Sequence, residues 1–136
     1  MCIILDANAI GDMNGRTEHG IPVIRWLLTG GGGLIVGGKQ KRELSASDKM
    51  LSTMVKLNQA GKLFTLDDKK VDALTEKLKP ECSSNDPHVI AVAHISGCRL
   101  IFSRDRALHK DAKNVLSPPA AIYQNKGHSH LLVDST

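Results

Sequence analysis

The sequence is short of aromatic residues, cysteines and long apolar runs, and each shortage argues against a class of protein. Aromatic residues make up only 3% of the chain, which argues against a base-stacking platform of the single-strand-binding type. The three cysteines are odd in number and show no CxxC spacing, so a reduced, cytoplasmic setting is expected. No apolar run approaches the roughly 18 residues that span a bilayer. No basic stretch precedes the first apolar segment, so neither a membrane association nor a signal peptide is expected.

What remains is the composition of an ordinary globular protein. A length of 136 residues predicts a single domain spanning residues 1–136, and 41% hydrophobic and 24% charged residues are typical of a soluble one. The formal charge of +4 is a mild basic excess. If several acids converge in one pocket, the remaining surface is more positive than this total, which favours a polyanionic partner. Charge alone fits a basic protein without a nucleic-acid role equally well.

Short apolar runs alternate with amphipathic segments along the chain. Strands are predicted at 2–5, 34–36, 63–66 and about 100–105, and helices at 21–28, 39–59 with a break near 45–47, 67–79 and 86–96. Residues 12–20 are predicted to be a polar loop, and the tail 120–136 to contain one short strand or helix. Strands that alternate with helices predict an α/β fold, a three-layer α/β/α sandwich around a central parallel sheet.

Four acidic residues occupy related positions in this pattern. Asp6 and Asp105 each follow an apolar strand, Glu43 lies about two turns beyond another, and Asp86 opens the helix that leads to the last strand. Each has a local alternative, as a turn former, a helix cap or a residue of a solvated helix face. In a parallel sheet, however, these positions meet at one edge. Converging carboxylates repel unless they hold a hard cation, so the topology favours a Mg²⁺ or Mn²⁺ site.

The segments that carry these acids resemble the PIN-domain nucleases. They are Asp6-Ala7-Asn8 after the first strand, Glu43-Leu44 after the second, Asp86 before an alanine-containing helix, and Ser103-Arg104-Asp105 after the last strand. The resemblance extends in order and spacing over almost the whole chain, and its last block is the most specific.

This resemblance implies a metal-dependent endoribonuclease, a hydrolase that cleaves RNA with Mg²⁺ or Mn²⁺. Carried over by position, the acids of the quartet are Asp6, Glu43, Asp86 and Asp105, and Asn8 and Ser103 are their polar supports. Many small bacterial members of the family are toxins that are silenced by an antitoxin, and many form dimers. The implied partners are therefore RNA, a cognate antitoxin protein and a second copy of the chain.

Basic and histidine residues lie near the predicted acidic edge. The candidates for contacts with substrate phosphate are Lys39, Lys41, Arg42, Arg104 and Arg106. A solvated surface explains these cations equally well. His88 could contact a metal-bound water or a phosphate, but it is interpreted as a surface residue. His128 and His130 are interpreted as part of a polar tail rather than as ligands of a soft metal.

The chemistry expected of such a site is an in-line displacement at phosphorus by a metal-activated water. Three alternatives stay open. Residues 33–40 match most of a P-loop but lack its Ser or Thr. Asp6-Ala7-Asn8 is similar to the start of an aspartyl-phosphate phosphatase, which needs a second Asp where Asn8 stands. A non-catalytic binding module on the same fold is the remaining alternative.

Overall fold

A five-stranded parallel sheet forms the centre of the protein. The computed structural model describes residues 1–133. The strands are β1 (Cys2–Leu5), β2 (Gly33–Val36), β3 (Leu63–Thr65), β4 (Leu100–Phe102) and β5 (Ala121–Tyr123), in the spatial order β3-β2-β1-β4-β5. Strand β1 is central, and Ile4 lies opposite Ile35 of β2 and Ile101 of β4. The carboxyl ends of β1, β2 and β4 therefore point to the same edge of the sheet.

Seven α-helices connect the strands of the described residues. They are α1 (Ile10–Asn14), α2 (Ile21–Thr29), α3 (Gly38–Ser45), α4 (Asp48–Gln59), α5 (Asp68–Leu78), α6 (Pro87–Ser96) and α7 (Arg106–Asn114). Short 3-10 helices lie at Ala7–Ala9, Lys79–Glu81 and Lys126–Leu131. Within residues 1–133, no helix combines the length and the apolar character that a membrane span requires.

The two faces of the sheet bury separate apolar cores. Alternation along β1 sends Ile3 and Leu5 into the core that contains Trp26 of α2, and Ile4 into the core that contains α6. All three of these β1 residues are fully buried, as expected for a central parallel strand covered on both sides. The predicted three-layer α/β/α fold is therefore confirmed.

Polar caps and one glycine set several helix boundaries. Ser47 separates α3 from α4, because its hydroxyl accepts a hydrogen bond from the Met50 amide at 3.3 Å and starts a new helix. Asp67 caps α5 in the same way, accepting from the Lys69 amide at 2.9 Å. Gly97 ends α6 with a φ of 77°, in the left-handed region that glycine adopts without strain.

The structure corrects three sequence-based expectations. The predicted loop 12–20 begins inside α1, which is only five residues long and shows little apolar periodicity. Leu51 and Val55, predicted as apolar positions of the helix, are 42% and 49% exposed. The tail contains both a strand and a 3-10 helix, because the Ala121–Tyr123 triplet can pair with β4; residues 134–136 of that predicted tail lie outside the described part.

Candidate metal centre

Asp6 lies at the carboxyl edge of the two central strands. Its amide continues the β1–β4 ladder by donating to the Phe102 carbonyl at 3.0 Å. Its side chain is only 2% exposed, and its Oδ2 accepts a hydrogen bond from the Ser103 hydroxyl at 2.9 Å. Burial raises the pKa of Asp6 more than any other cause, and the charges of Asp105 and Glu43 raise it further. Asp6 is therefore a rigidly held carboxylate with other acids close by.

Ser103 links Asp6 to Asp105. The same Ser103 hydroxyl that donates to Asp6 accepts a hydrogen bond from the Asp105 amide at 3.0 Å. Asp105 in turn caps α7, since its Oδ1 accepts from the Ala107 amide at 2.9 Å. The helix-cap alternative for Asp105 is thus found in the structure. It leaves the second carboxylate oxygen of Asp105 for other contacts, so capping and metal binding are compatible.

Asp86 occupies the cap position of α6 but does not cap it. Its side chain accepts no cap hydrogen bond from the helix. Burial is the main cause that raises the pKa of Asp86 to about 6; the charge of Asp6 and the proximity of Asp105 add to it, and His88 opposes it. Asp6 and Asp105 are therefore near enough for their charges to act on the Asp86 carboxylate. The helix-cap alternative for Asp86 is therefore not realised, and its carboxylate faces the other acids.

Glu43 reaches this group from α3 and meets a histidine there. Glu43 Oε1 lies 2.5 Å from His88 Nε2, and Asp86 Oδ1 lies 3.7 Å from the same nitrogen. One ligand atom from each of these three residues lies within 4.8 Å of the others. His88 is 1% exposed, so its interpretation as a surface residue was wrong. The cause is the packing of α6 against both α5 and the sheet, which buries even the start of the helix.

The donor set fits a divalent cation. Carboxylate oxygens are the ligands that Mg²⁺ and Mn²⁺ prefer. The raised pKa values of Asp6 and Asp86 show that nearby negative charges and burial oppose ionisation there. A cation among these acids would relieve that cost. The cluster is therefore suited to hold a metal ion.

Of the remaining candidates in the α1 and α7 region, Asn8 and Arg104 have structural partners, whereas Arg106 does not within the described residues. The side chain of Asn8 forms no hydrogen bond with an acid within residues 1–133; its Oδ1 accepts a hydrogen bond from the Arg104 amide at 3.3 Å. The Arg104 guanidinium pairs with the buried carboxylate of Asp12, at 2.9 Å. Arg106 is the first residue of α7 and makes no side-chain hydrogen bond within residues 1–133. Of these cations, Arg106 is thus the one without an acidic partner in the described chain.

The basic candidates of α3 lie beside α5. Arg42 pairs with Asp72 at 3.1 Å, and Lys41 lies 3.9 Å from Asp68. Lys39 donates its amide to Asp72 at 3.1 Å, while its ammonium group makes no ion pair in the part of the chain that the structure describes. A cleft of about 640 Å³ opens here, and the residues lining it include Lys39, Arg42, Lys79, Ser83, Asn85 and His88. This cleft therefore adjoins the acidic cluster through His88.

Gln40 is a buried polar residue near the site that sequence reasoning missed. Its Nε2 donates to the Leu5 carbonyl at 3.0 Å, and its Oε1 accepts from the Gly37 amide at 3.1 Å. These bonds fix the start of α3 to the end of β1, next to Asp6. The only signal in the sequence is the spacing of three residues between Gln40 and Glu43, which puts both on one side of α3.

Comparison with known proteins relates the fold to one that has been described. No protein-family model matches the sequence, and no curated protein matches it significantly. A solved structure does match: a chain of the crystal structure of VapBC2 from Rickettsia felis bound to a DNA fragment from their promoter, with a TM-score of 0.50. The match covers 90% of this chain and 97% of the other at 15% identity. The chain has a PIN-like fold. At this identity the likeness establishes the architecture alone.

Proposed function

We propose that this protein is a metal-dependent endoribonuclease that hydrolyses RNA phosphodiester bonds with Mg²⁺ or Mn²⁺. The observation that carries the proposal is the group of Glu43, Asp86 and His88, in which one ligand atom from each residue lies within 4.8 Å of the others. Burial is the main cause that raises the pKa of Asp86, and Asp6 and Asp105 are near enough for their charges to raise it further. We assign all four acids, Asp6, Glu43, Asp86 and Asp105, to the metal site. A PIN-like fold supports the same function.

The four acids would hold the ion in distinct ways. Asp6 is fixed by Ser103, and Asp105 by the first turn of α7, so these two form the rigid part of the site. The carboxylate of Asp86 makes no hydrogen bond that caps α6, so it is free to bind the ion. When bound, the ion would lower the pKa of a water molecule and stabilise the leaving oxygen of the phosphodiester. Products with a 5′-phosphate and a 3′-hydroxyl are expected.

Unpaired cations next to the acidic cluster support RNA as the substrate. The ammonium group of Lys39 and the guanidinium of Arg106 make no ion pairs within the described residues. Lys39 belongs to α3, which also carries Glu43, and Arg106 begins α7, directly after Asp105. We assign them to contacts with RNA phosphates, which position a nucleic acid without reading its sequence. Lys41, Arg42 and Arg104 would have to leave their acidic partners to do the same.

A protein partner is part of the proposal, and with it a toxin role in the cytoplasm. The matching chain belongs to a structure of VapBC2 bound to promoter DNA. In this protein, α2 and α4 expose large apolar side chains: Ile21, Leu28, Leu51 and Val55. Both helices pack against α1, and exposed apolar patches are typical of surfaces that a partner covers. A cognate antitoxin or a second copy of the chain would serve, and size-exclusion chromatography with and without the product of the adjacent gene tests this.

The test of the enzymatic function is cleavage of total RNA in the presence of Mn²⁺. The intact protein is compared with Asp86→Ala and with Asp48→Ala, which removes an exposed acid of α4 as a matched control. We expect cleavage by the intact protein and by the control, and none by Asp86→Ala or in EDTA. Equal activity of Asp86→Ala, or activity in EDTA, would contradict the proposal.

The same samples separate the alternatives. A phosphatase would release inorganic phosphate from small phosphomonoesters and leave RNA intact. A non-catalytic binding module would show little thermal stabilisation by Mn²⁺, because an unused cluster gains nothing from the ion. Asn8 occupies the position where a phosphatase needs its second Asp, and its Oδ1 accepts a hydrogen bond from the Arg104 amide. The nuclease therefore remains the better supported function.

A further inference from the structure

His88 is a buried histidine whose polar contacts are directed to the acidic cluster. It is the second residue of α6 and is 1% exposed. Its Nε2 lies 2.5 Å from Glu43 Oε1 and 3.7 Å from Asp86 Oδ1. An apolar residue would fill such a position at lower desolvation cost. The contact with Glu43 therefore needs an explanation beyond packing.

The other ring nitrogen decides what His88 does there. His88 Nδ1 is buried and has no hydrogen-bond partner within residues 1–133. If Nε2 bound a metal ion directly, the ring proton would lie on Nδ1, as a buried donor without an acceptor. Histidines that ligate metals almost always donate that second N–H to a partner. Because a carboxylate oxygen accepts hydrogen bonds, the contact of Nε2 with Glu43 Oε1 at 2.5 Å places the proton on Nε2. Nδ1 is then a buried acceptor rather than a buried donor, and Nε2 is a donor to Glu43.

Glu43 is the acid that most needs such a restraint. Its side chain is 34% exposed, whereas Asp6 is buried and Asp105 caps a helix. Among the described residues, the hydrogen bond from His88 is the only one that the Glu43 carboxylate makes. It ties α3 to α6, two elements that are held together otherwise by packing.

We propose that His88 is the positioning residue of the metal site: it donates from Nε2 to Glu43 Oε1 and leaves the second oxygen of Glu43 for the ion. This role rests on the proposed metal-dependent function. It predicts that the hydrogen bond, and not the volume of the ring, determines how tightly the site binds metal.

The experiment measures Mn²⁺ affinity by EPR detection of the free ion, on the full-length protein. His88→Leu fills the buried position with an apolar side chain and removes the hydrogen-bond donor, and we expect Mn²⁺ to bind about 10- to 100-fold more weakly. His88→Gln restores an N–H near the place of Nε2, and we expect it to recover most of that loss. His94→Leu is the matched control, an exposed histidine of the same helix, and should bind Mn²⁺ as the unmodified protein does. Circular dichroism and the metal-free melting temperature verify that each variant folds.

A double-mutant cycle with Glu43→Ala tests whether His88 acts through Glu43. Once Glu43 is absent, His88→Leu should weaken Mn²⁺ binding little further. Unchanged Mn²⁺ affinity in His88→Leu, a His88→Gln variant as weak as His88→Leu, or independent effects in the cycle would each overturn the positioning role. A ¹⁴N coupling in the spectrum of bound Mn²⁺ that disappears in His88→Leu would overturn it too, because His88 would then be a ligand.

The same data distinguish failure of this role from failure of the proposed function. An unmodified protein that binds no Mn²⁺ overturns the metal-dependent function and the role of His88 together. A protein that binds Mn²⁺ and cleaves RNA, with His88→Leu equally tight, overturns only the role of His88.

Discussion

Replacing Asp86 by Asn should stabilise the metal-free protein at neutral pH. Burial is the main reason why the pKa of Asp86 rises to about 6, and the nearby charges of Asp6 and Asp105 raise it further. Asn keeps the shape of the side chain and removes its charge. The expected gain in the free energy of unfolding is therefore the cost of holding one more carboxylate in this group, with the cation absent.

The size of this gain follows from the pKa. A rise from 3.8 to about 6 corresponds to at most about 3 kcal/mol, at about 1.4 kcal/mol for each tenfold change in proton affinity. The side chain is 23% exposed, so solvent screening reduces the effect, and we expect about 1–2 kcal/mol.

The sign of the pH dependence is fixed by linkage. The folded protein binds the Asp86 proton more tightly than the unfolded chain does, so the stability that Asp86 contributes is complete below pH 4 or so and is lost as the pH rises through about 6. The difference in stability between Asp86→Asn and the unmodified protein should therefore grow between these pH values and then stay constant.

Urea unfolding followed by circular dichroism, in EDTA at acidic and neutral pH, measures this difference. Asp48→Asn is the control, since Asp48 is exposed in the first turn of α4 and its loss should bring no gain that depends on pH. An Asp86→Asn variant that is no more stable than the unmodified protein at neutral pH would refute the reasoning, as would a gain that is the same at every pH.

Three further predictions concern the same edge of the sheet. Mn²⁺ at about 100 times its dissociation constant should stabilise the protein by about 2.7 kcal/mol, seen as a higher melting temperature that EDTA reverses; no shift would argue against a metal site. Ser103→Ala should lower the free energy of unfolding in urea by about 1–3 kcal/mol, because Asp6 loses a hydrogen-bond donor and the Asp105 amide loses an acceptor. The same variant should bind Mn²⁺ more weakly in a titration, and an unchanged affinity would show that Asp6 needs no such support. Gln40→Leu should also lower the free energy of unfolding by about 1–3 kcal/mol, because the hydrogen bond to the Leu5 carbonyl is lost. Gln40→Glu is a comparison of similar shape, and a Gln40→Leu variant as stable as the unmodified protein would contradict the anchoring of α3.

The fold was predictable because its determinants are local in the sequence. Ile3, Ile4 and Leu5 are three apolar residues in succession, and such a run by itself predicts a strand that is buried on both faces, as β1 is. The positions of Asp6 and Asp105 after strands followed from the same pattern. Their roles as metal ligands stay predictions until binding is measured.

Other features depend on contacts between elements and were not predictable. His88 is buried because α6 packs against both α5 and the sheet, and nothing in the residues next to it along the chain indicates that. Gln40 is identified only by its bond to a carbonyl of β1. Leu51 and Val55 show the reverse case: an apolar pattern marks which residues are suited to burial, but not whether another element covers them.

The one tryptophan of the chain gives the protein a built-in optical reporter. Trp26 Nε1 donates to the Val133 carbonyl at 3.0 Å, although the two residues are far apart in the sequence. The indole is 5% exposed and lies in the core on the face of the sheet opposite α6. Its emission should therefore report the seating of the tail on α2 as well as global unfolding.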